Sequence, residues 1–462
     1  SMQESVDQHW TLGDLKQALS GVLVAVKGDT RRSFPSITTD SRSVKKGQVF
    51  VALSGEKFDG HVFALAAEKA GAGALVLSRS VGATCPELIV KDTAEAYGLL
   101  ARFWRRRFAL PLIAVAGSNG KTTTTQMIGS VLRAYAGDAS FCTRGNLNNN
   151  VGVPRMLLEL TEKDRIAVIE AGMNHVGEMA HLAGWIQPTV AVITNAQREH
   201  QAYIDGPAGS ARENAMAIVA LPESGCAVLP LTDSCYRIWA DFVRARGCRV
   251  LTYSAGESDA DVVATRQDDT LVLSTPEGLV RFPFSMAGDH ALHDAAAAAA
   301  ACLAAGVSLR SVMQGLSAFT ALAGRGQVHR FENGAVLIDE AYNANPDSMR
   351  AAIDLLAKMP SPRILVAGEM GELGEKSAAY HEEVLRYAQE KGIDRIYLIG
   401  GKMHEAMGVV GRTAQFFPER EELTRAVQEA LECPCTVLVK ASHYMGLESV
   451  VRSATTGRIK GN

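Results

Sequence analysis

Residues 111 to 123 read Pro-Leu-Ile-Ala-Val-Ala-Gly-Ser-Asn-Gly-Lys-Thr-Thr, an apolar strand running into a Gly-rich turn that ends in Lys121 and Thr122. These residue types suit polyphosphate. Gly117 and Gly120 let the backbone approach a phosphate, and the amides of Ser118 and Asn119 lie between them. The positive end of the following helix, from Lys121 through Thr122 and Thr123, attracts the anion. The Lys121 ammonium can reach the β and γ oxygens of ATP, and the Thr122 hydroxyl suits Mg²⁺. The spacing is shortened: Gly117 lies three residues before Gly120, and Val115 stands where the general motif has its first glycine. An ordinary strand-to-helix turn with an exposed lysine is the competing reading. The next segment favours the cradle, because Met127, Ile128, Val131, Leu132 and Tyr135 share one helical face before a stop at Gly137.

Other positions carry chemistry with less local support. Glu170 ends the apolar run Ile-Ala-Val-Ile, where a carboxylate can hold Mg²⁺ beside Thr122 or simply face solvent from a loop. His200 follows the apolar run 189 to 194 and reads either as a metal ligand or as a surface histidine. Thr143 to Gly152 is dense in amides, and Asn146, Asn148 and Asn149 can recognise sugar or peptide groups. In Asp339-Glu-Ala-Tyr-Asn-Ala-Asn-Pro-Asp, a structural reading makes Asn345 a helix N-cap and Pro346 the first helical residue, with Asp347 favouring the helix dipole. That reading leaves Asp339, Tyr342 and Asn343 without a reason.

Three α/β units are expected to position these groups. At 462 residues the chain exceeds what one core supports. We expect a small N-terminal α/β domain (1–108), a central P-loop domain with a parallel sheet and an antiparallel extension over 226–284 (109–321), and a Rossmann-like C-terminal domain (322–462). The Ala-rich segment 291–305 reads as a packed helix, and 321–326 as a linker. At strand ends, where open α/β sheets bind ligands, stand Glu170, Asn195, Asp339, Glu369 and Lys440. A net charge of −3 without long basic runs gives no support for nucleic-acid or membrane-surface binding, and Arg105 to Arg107 read as a solvated helix face. The eight scattered cysteines suggest free thiols and the cytoplasm. The polar start, Ser1 to Gln8, lacks a signal-peptide pattern, and Ser1 before Met2 reads as an added residue. We expect a monomer.

Taken together, the motifs resemble those of the Mur ligases, the ATP-dependent amide-forming enzymes of peptidoglycan precursor synthesis. The resemblance covers nearly the whole chain. It rests on Asp40-Ser-Arg42, Gly117 to Thr122, Gly145 to Asn149, Ile169 to His175, Gly324-Arg325, Asp339 to Met349, Gly368 to Gly374 and Val439-Lys440. The Tyr342 to Pro346 element is most like the branch that adds D-alanyl-D-alanine to a UDP-N-acetylmuramoyl-tripeptide. The resemblance implies that Lys121, Glu170 and His200 are catalytic and that Thr122, Glu170 and His200 hold Mg²⁺. It implies that Gly117 to Thr123, His290, Arg325, Asp339 and Asn343 bind ATP, Ser41 and Arg42 the uridine nucleotide, and Asn146, Asn148 and Asn149 the rest of that substrate.

The chain departs from the family pattern at three places. Fourteen residues after His200, where relatives commonly carry a lysine that becomes carbamylated and binds a second Mg²⁺, it has Asn214, which leaves the second metal open. Gly288-Asp-His-Ala-Leu-His-Asp294 has Ala291 and Asp294 in place of two asparagines on the adenine side. Lys440-Ala-Ser-His443 replaces Lys-Gly-Ser-Arg. Rival readings are another Mur or folate-polyglutamylating ligase and a P-loop NTPase acting as a conformational switch; the latter gives Asp40-Ser-Arg42 no role.

Overall fold

The computed structural model describes residues 9–196, 206–286, 288–319 and 325–456. Within them the chain forms three sheets, of five, nine and six strands, in chain order. In the first, Leu23–Lys27 pairs antiparallel with Glu87–Val90, and Ala74–Leu77, Val49–Val51 and Ile37–Thr38 continue in parallel.

The second sheet positions the cradle. Its strand Leu112–Ala116 lies between Val190–Ile193 and Ile166–Glu170, parallel to both. Asn195 and Glu170, at the carboxyl ends of those neighbours, therefore flank the loop that follows Ala116. All three strands are fully buried, as their continuous apolar runs require of a parallel sheet covered on both faces. The expected antiparallel extension is found only at the outer edge. Cys226–Pro230, Arg249–Ala255 and Val262–Gln267 continue in parallel, and only Thr270–Thr275 and Gly278–Pro283 turn back. The Ala-rich helix, Asp289–Ala304, buries nearly its whole length against this sheet and the helix Lys121–Ala136. Its small side chains permit that close approach.

In the third sheet the strand order is Gln327–Arg330, Val336–Glu340, Thr436–Lys440, Arg363–Ala367, Arg395–Ile399 and Ala414–Phe417, antiparallel only at the first pair. Glu340, Lys440 and Ala367 are level with one another at the carboxyl edge. Asn345 caps the helix Pro346–Ala357 by accepting from the Ser348 amide, with Pro346 in the first turn. Met349, Ile353 and Leu356 point into the core.

Arg105 to Arg107 do not form the expected solvated face. Arg105 is buried and donates to the carbonyls of Ile186 (2.8 Å), Phe108 (2.6 Å) and Gln187 (3.0 Å). Arg106 donates to the Gln187 side chain (3.2 Å). Arg107 pairs with Asp14 (3.0 Å) and covers the Trp104 ring. The end of the helix Thr93–Arg105 is thus a joint between the first and second sheets. No helix among the described residues is long and apolar enough to cross a membrane.

Candidate active site

The phosphate loop is built by glycines that nothing else can replace. Gly117 has φ +131°, and a Cβ there would lie 2.0 Å from Thr194 Oγ1; Gly120, at φ +77°, would meet the Asp294 carboxylate at 2.5 Å. No side chain caps the helix that starts at Lys121, so its N-terminal end faces the loop as an anion site requires. Neighbouring amides pin the loop. Asn195 accepts from the Ser118 amide through its carbonyl (3.1 Å) and from the Asn119 amide through its side chain (2.9 Å). Asn214, fully buried, accepts from the Gly117 amide (3.1 Å). Ser118 Oγ lies 3.0 Å from Ser210 Oγ. The Lys121 ammonium donates back to the carbonyls of Gly117 (2.9 Å) and Ser118 (3.3 Å), closing the ring. Asn195 was legible as a strand-end candidate; the part played by Asn214 was not, since its partner lies 97 residues away.

Glu170 is buried, at 1% exposure, which rules out the solvent-facing reading. Its amide donates to Thr143 Oγ1 (2.9 Å), and its carboxylate accepts from Asn148 Nδ2. Arg325 lies within its electrostatic reach and packs over the Tyr342 ring, 3.3 Å from the centroid. Burial holds the Arg325 guanidinium below its ordinary pKa, with Tyr342 and Glu170 opposing. Of the other asparagines, Asn146 accepts from the Tyr342 hydroxyl. Asn149 accepts from the amides of Val151 (3.2 Å) and Gly152 (2.8 Å), so it shapes the start of the next helix.

From the third sheet the Tyr342–Asn345 loop reaches the cradle directly. Asn345 and Asn119 exchange side-chain amide hydrogen bonds across 226 residues of sequence, while Asn345 continues to cap its own helix. The capping role readable in the sequence was thus only half of what Asn345 does. Asp339 is buried and accepts from the Ala341 amide (3.1 Å), turning the chain into this loop. His290, expected on the adenine side, meets the Glu340 carboxylate (3.3 Å). Asp294 lies beneath Gly120 on the Ala-rich helix, and burial pushes its carboxyl up to about 7.

A cavity of about 620 Å³ opens beside Asn343 at the carboxyl ends of the third sheet, lined also by Glu369, Lys402, Ser442 and Tyr444. Glu369 accepts from the Tyr444 hydroxyl (2.8 Å) and the Lys402 amide (3.0 Å). Ser41 and Arg42 lie in the short 3-10 turn Ser41–Ser43 after the strand Ile37–Thr38 of the first sheet, where the exposed Arg42 bonds to Asp40. His200 and residues 321–324 lie outside the described residues.

Three family models match in chain order: the Mur ligase family catalytic domain over residues 34–105, the Mur ligase middle domain over 115–302, and the Mur ligase glutamate ligase domain over 324–443. Among curated relatives, the UDP-N-acetylmuramoyl-tripeptide–D-alanyl-D-alanine ligase of Escherichia coli K12 is 36% identical over 96% of this chain and 98% of its own length. The ligase of the same name from Synechocystis is 34% identical over 96% of both chains. The crystal structure of MurF from Acinetobacter baumannii superposes with a TM-score of 0.87 at 31% identity, covering 96% of this chain and 98% of that one. With a phosphate cradle in the middle region and likeness from end to end, this chain belongs to the Mur ligase family.

Proposed function

We propose that this protein joins D-alanyl-D-alanine to UDP-N-acetylmuramoyl-tripeptide at the expense of ATP, giving the pentapeptide nucleotide used in peptidoglycan synthesis. Whole-length likeness to ligases of that name supports the reading. The observation that carries it is the reciprocal Asn119–Asn345 contact, which sets the phosphate cradle against the one loop most particular to this branch. We read 1–108 as the uridine-nucleotide domain with Ser41 and Arg42, 109–321 as the ATP domain, and 322–462 as the domain that closes over the reaction.

The donor groups suit ATP and Mg²⁺. An uncapped helix start behind two glycines matches a polyphosphate. A buried carboxylate beside it, with the Thr122 hydroxyl nearby in sequence, matches a hard cation that takes its remaining ligands from phosphate and water. Among the described residues no cluster of three or more acidic, histidine or cysteine ligands occurs. By family likeness Thr122 and Glu170 would hold a first Mg²⁺ and His200 a second, and the metal would neutralise charge on the transferred phosphoryl group.

The chain's own residues bind and orient. Lys121 and the amides of Gly117 to Thr123 fix the triphosphate, Asp339, Asn343 and Arg325 approach it from the third domain, and Asn146 and Asn148 stand on the tripeptide side. A tripeptide carboxylate oxygen attacks the γ-phosphorus and ADP leaves. The amine of D-alanyl-D-alanine then attacks the acyl carbon, the amide forms and phosphate departs. The cavity beside Asn343 offers room for the acceptor, and closure limits hydrolysis of the acyl phosphate. We take the protein to be a cytoplasmic monomer; its eight cysteines stand as free thiols, as a reducing compartment requires.

Phosphate release from ATP with both substrates, and with each omitted in turn, tests this. The reading expects release to need both. Release that persists without the dipeptide contradicts it and favours an NTPase switch.

A further inference from the structure

We infer that Glu340 is a positioning residue of this site: by holding His290 of the central region and Lys440 of the adjoining strand together, it aims the Tyr342–Asn345 loop at the phosphate cradle. The kinetic part of this inference rests on the ligase reading above.

Glu340 ends the strand Val336–Glu340 in register with Lys440, and both side chains are almost buried, at 11% and 7% exposure. One carboxylate oxygen lies 3.7 Å from the Lys440 ammonium and the other 3.3 Å from His290 Nε2. Gly326, at φ +93°, leaves room for this arrangement, since a Cβ there would sit 3.2 Å from the carboxylate. Lys440 also donates to the Asn343 carbonyl (2.8 Å). That carbonyl belongs to the loop whose Tyr342 and Asn345 reach Asn146 and Asn119. The contacts therefore form a circuit that leaves the central region at His290 and returns to it at Asn119. Glu340 and, at longer range, Asp339 favour the charged form of the buried Lys440, so losing Glu340 would remove the carboxylate that fixes the Lys440 ammonium beside the loop carbonyl.

The groups facing His290 are Glu340 and Lys440 from the third sheet, with Asp294 and His293 on its own helix. Desolvation works against the His290 imidazolium, whose side chain is 39% exposed, but Glu340 and, behind it, Asp294 outweigh this, and the pKa lies above the ordinary 6.5. The charged contact is therefore complete at acid pH and is lost as pH rises through the raised value.

The test is kcat against pH for the full-length wild type, H290Q and E340Q. The wild type should lose turnover as pH climbs through the His290 pKa, H290Q should show no such limb, and E340Q should fall about tenfold or more in kcat. A limb that survives in H290Q overturns the assignment, as does E340Q with wild-type kcat. An effect of H290Q confined to the KM for ATP also overturns it, making His290 a nucleotide contact. Amide exchange over residues 341–349 in substrate-free protein reads the same link without turnover: faster exchange in H290Q supports it, and unchanged exchange refutes it. Should E340Q fail to fold, H290Q decides alone. A wild type that forms no product counts against the ligase reading, and the exchange result still judges Glu340.

Discussion

The first and third regions are joined to the central one in opposite ways. At the first joint an apolar cluster runs unbroken from Trp10 through Trp104 to Met156, Trp185 and Trp239. Gly98 is pressed so closely against Trp185 that a Cβ would lie 2.0 Å from its ring. At the second joint each of the five apolar clusters stays on one side. Contact there is made by side-chain amides, a tyrosine hydroxyl and ion pairs: Asn119–Asn345, Tyr342–Asn146, His290–Glu340 and Lys358–Asp289. An apolar joint holds by area and resists water, whereas a polar joint can exchange its partners for water or ligand at small net cost. We place the proposed chemistry at this polar joint.

The sharpest contrast should come from two substitutions. Lys121→Ala removes the charge on the cradle and should lower product formation by about a hundredfold to a thousandfold, with the fold retained. Trp185→Ala should do the reverse. It should cost about 3–5 kcal/mol in denaturant unfolding, while activity per folded molecule survives. If Trp185→Ala abolished activity without loss of stability, the division of labour between the joints would be wrong.

Tyr342→Phe is a finer probe. It keeps the ring under Arg325 and deletes only the hydroxyl that meets Asn146, so it should weaken closure by about 1 kcal/mol, or roughly fivefold in kcat/KM. Unfolding curves should not move.

The last contrast concerns pH. Because the folded Asp294 carboxyl is raised to about 7, its contribution to stability is fully present below the ordinary 3.8 and is lost progressively as pH rises from there through about 7. Wild-type stability should therefore fall by up to about 1.4 kcal/mol per pH unit between roughly pH 4 and 7 and level off above neutrality, and Asp294→Asn should flatten the slope. A Trp185→Ala chain should keep the wild-type slope, since Asp294 lies on the Ala-rich helix in a different apolar cluster from Trp185.

The sequence showed local features well and distant partnerships poorly. Gly117, Gly120, Lys121 and Thr122 signal a cradle because strand, turn and helix are contiguous. The Ala-rich helix and the Pro346 start are equally local. Arg105 to Arg107 misled because an arginine run looks solvated until its acceptors, about 80 residues on at Ile186 and Gln187, are in place. The Asn119–Asn345 pair and the His290–Glu340–Lys440 circuit depend on two sheets meeting, which no local pattern encodes. Glu340 was passed over beside Asp339, although an Asp-Glu pair at a buried strand end was a usable signal. The parallel course of 226–267 was hidden because buried strands read alike in either direction.

The central claim is that the polar joint makes an amide through an acyl phosphate. It is met most directly by supplying tripeptide nucleotide with a heavy-oxygen label in its terminal carboxylate, together with ATP and D-alanyl-D-alanine, and weighing the products. The account predicts one labelled oxygen in the released phosphate for each pentapeptide formed. Pentapeptide accompanied by unlabelled phosphate would contradict it.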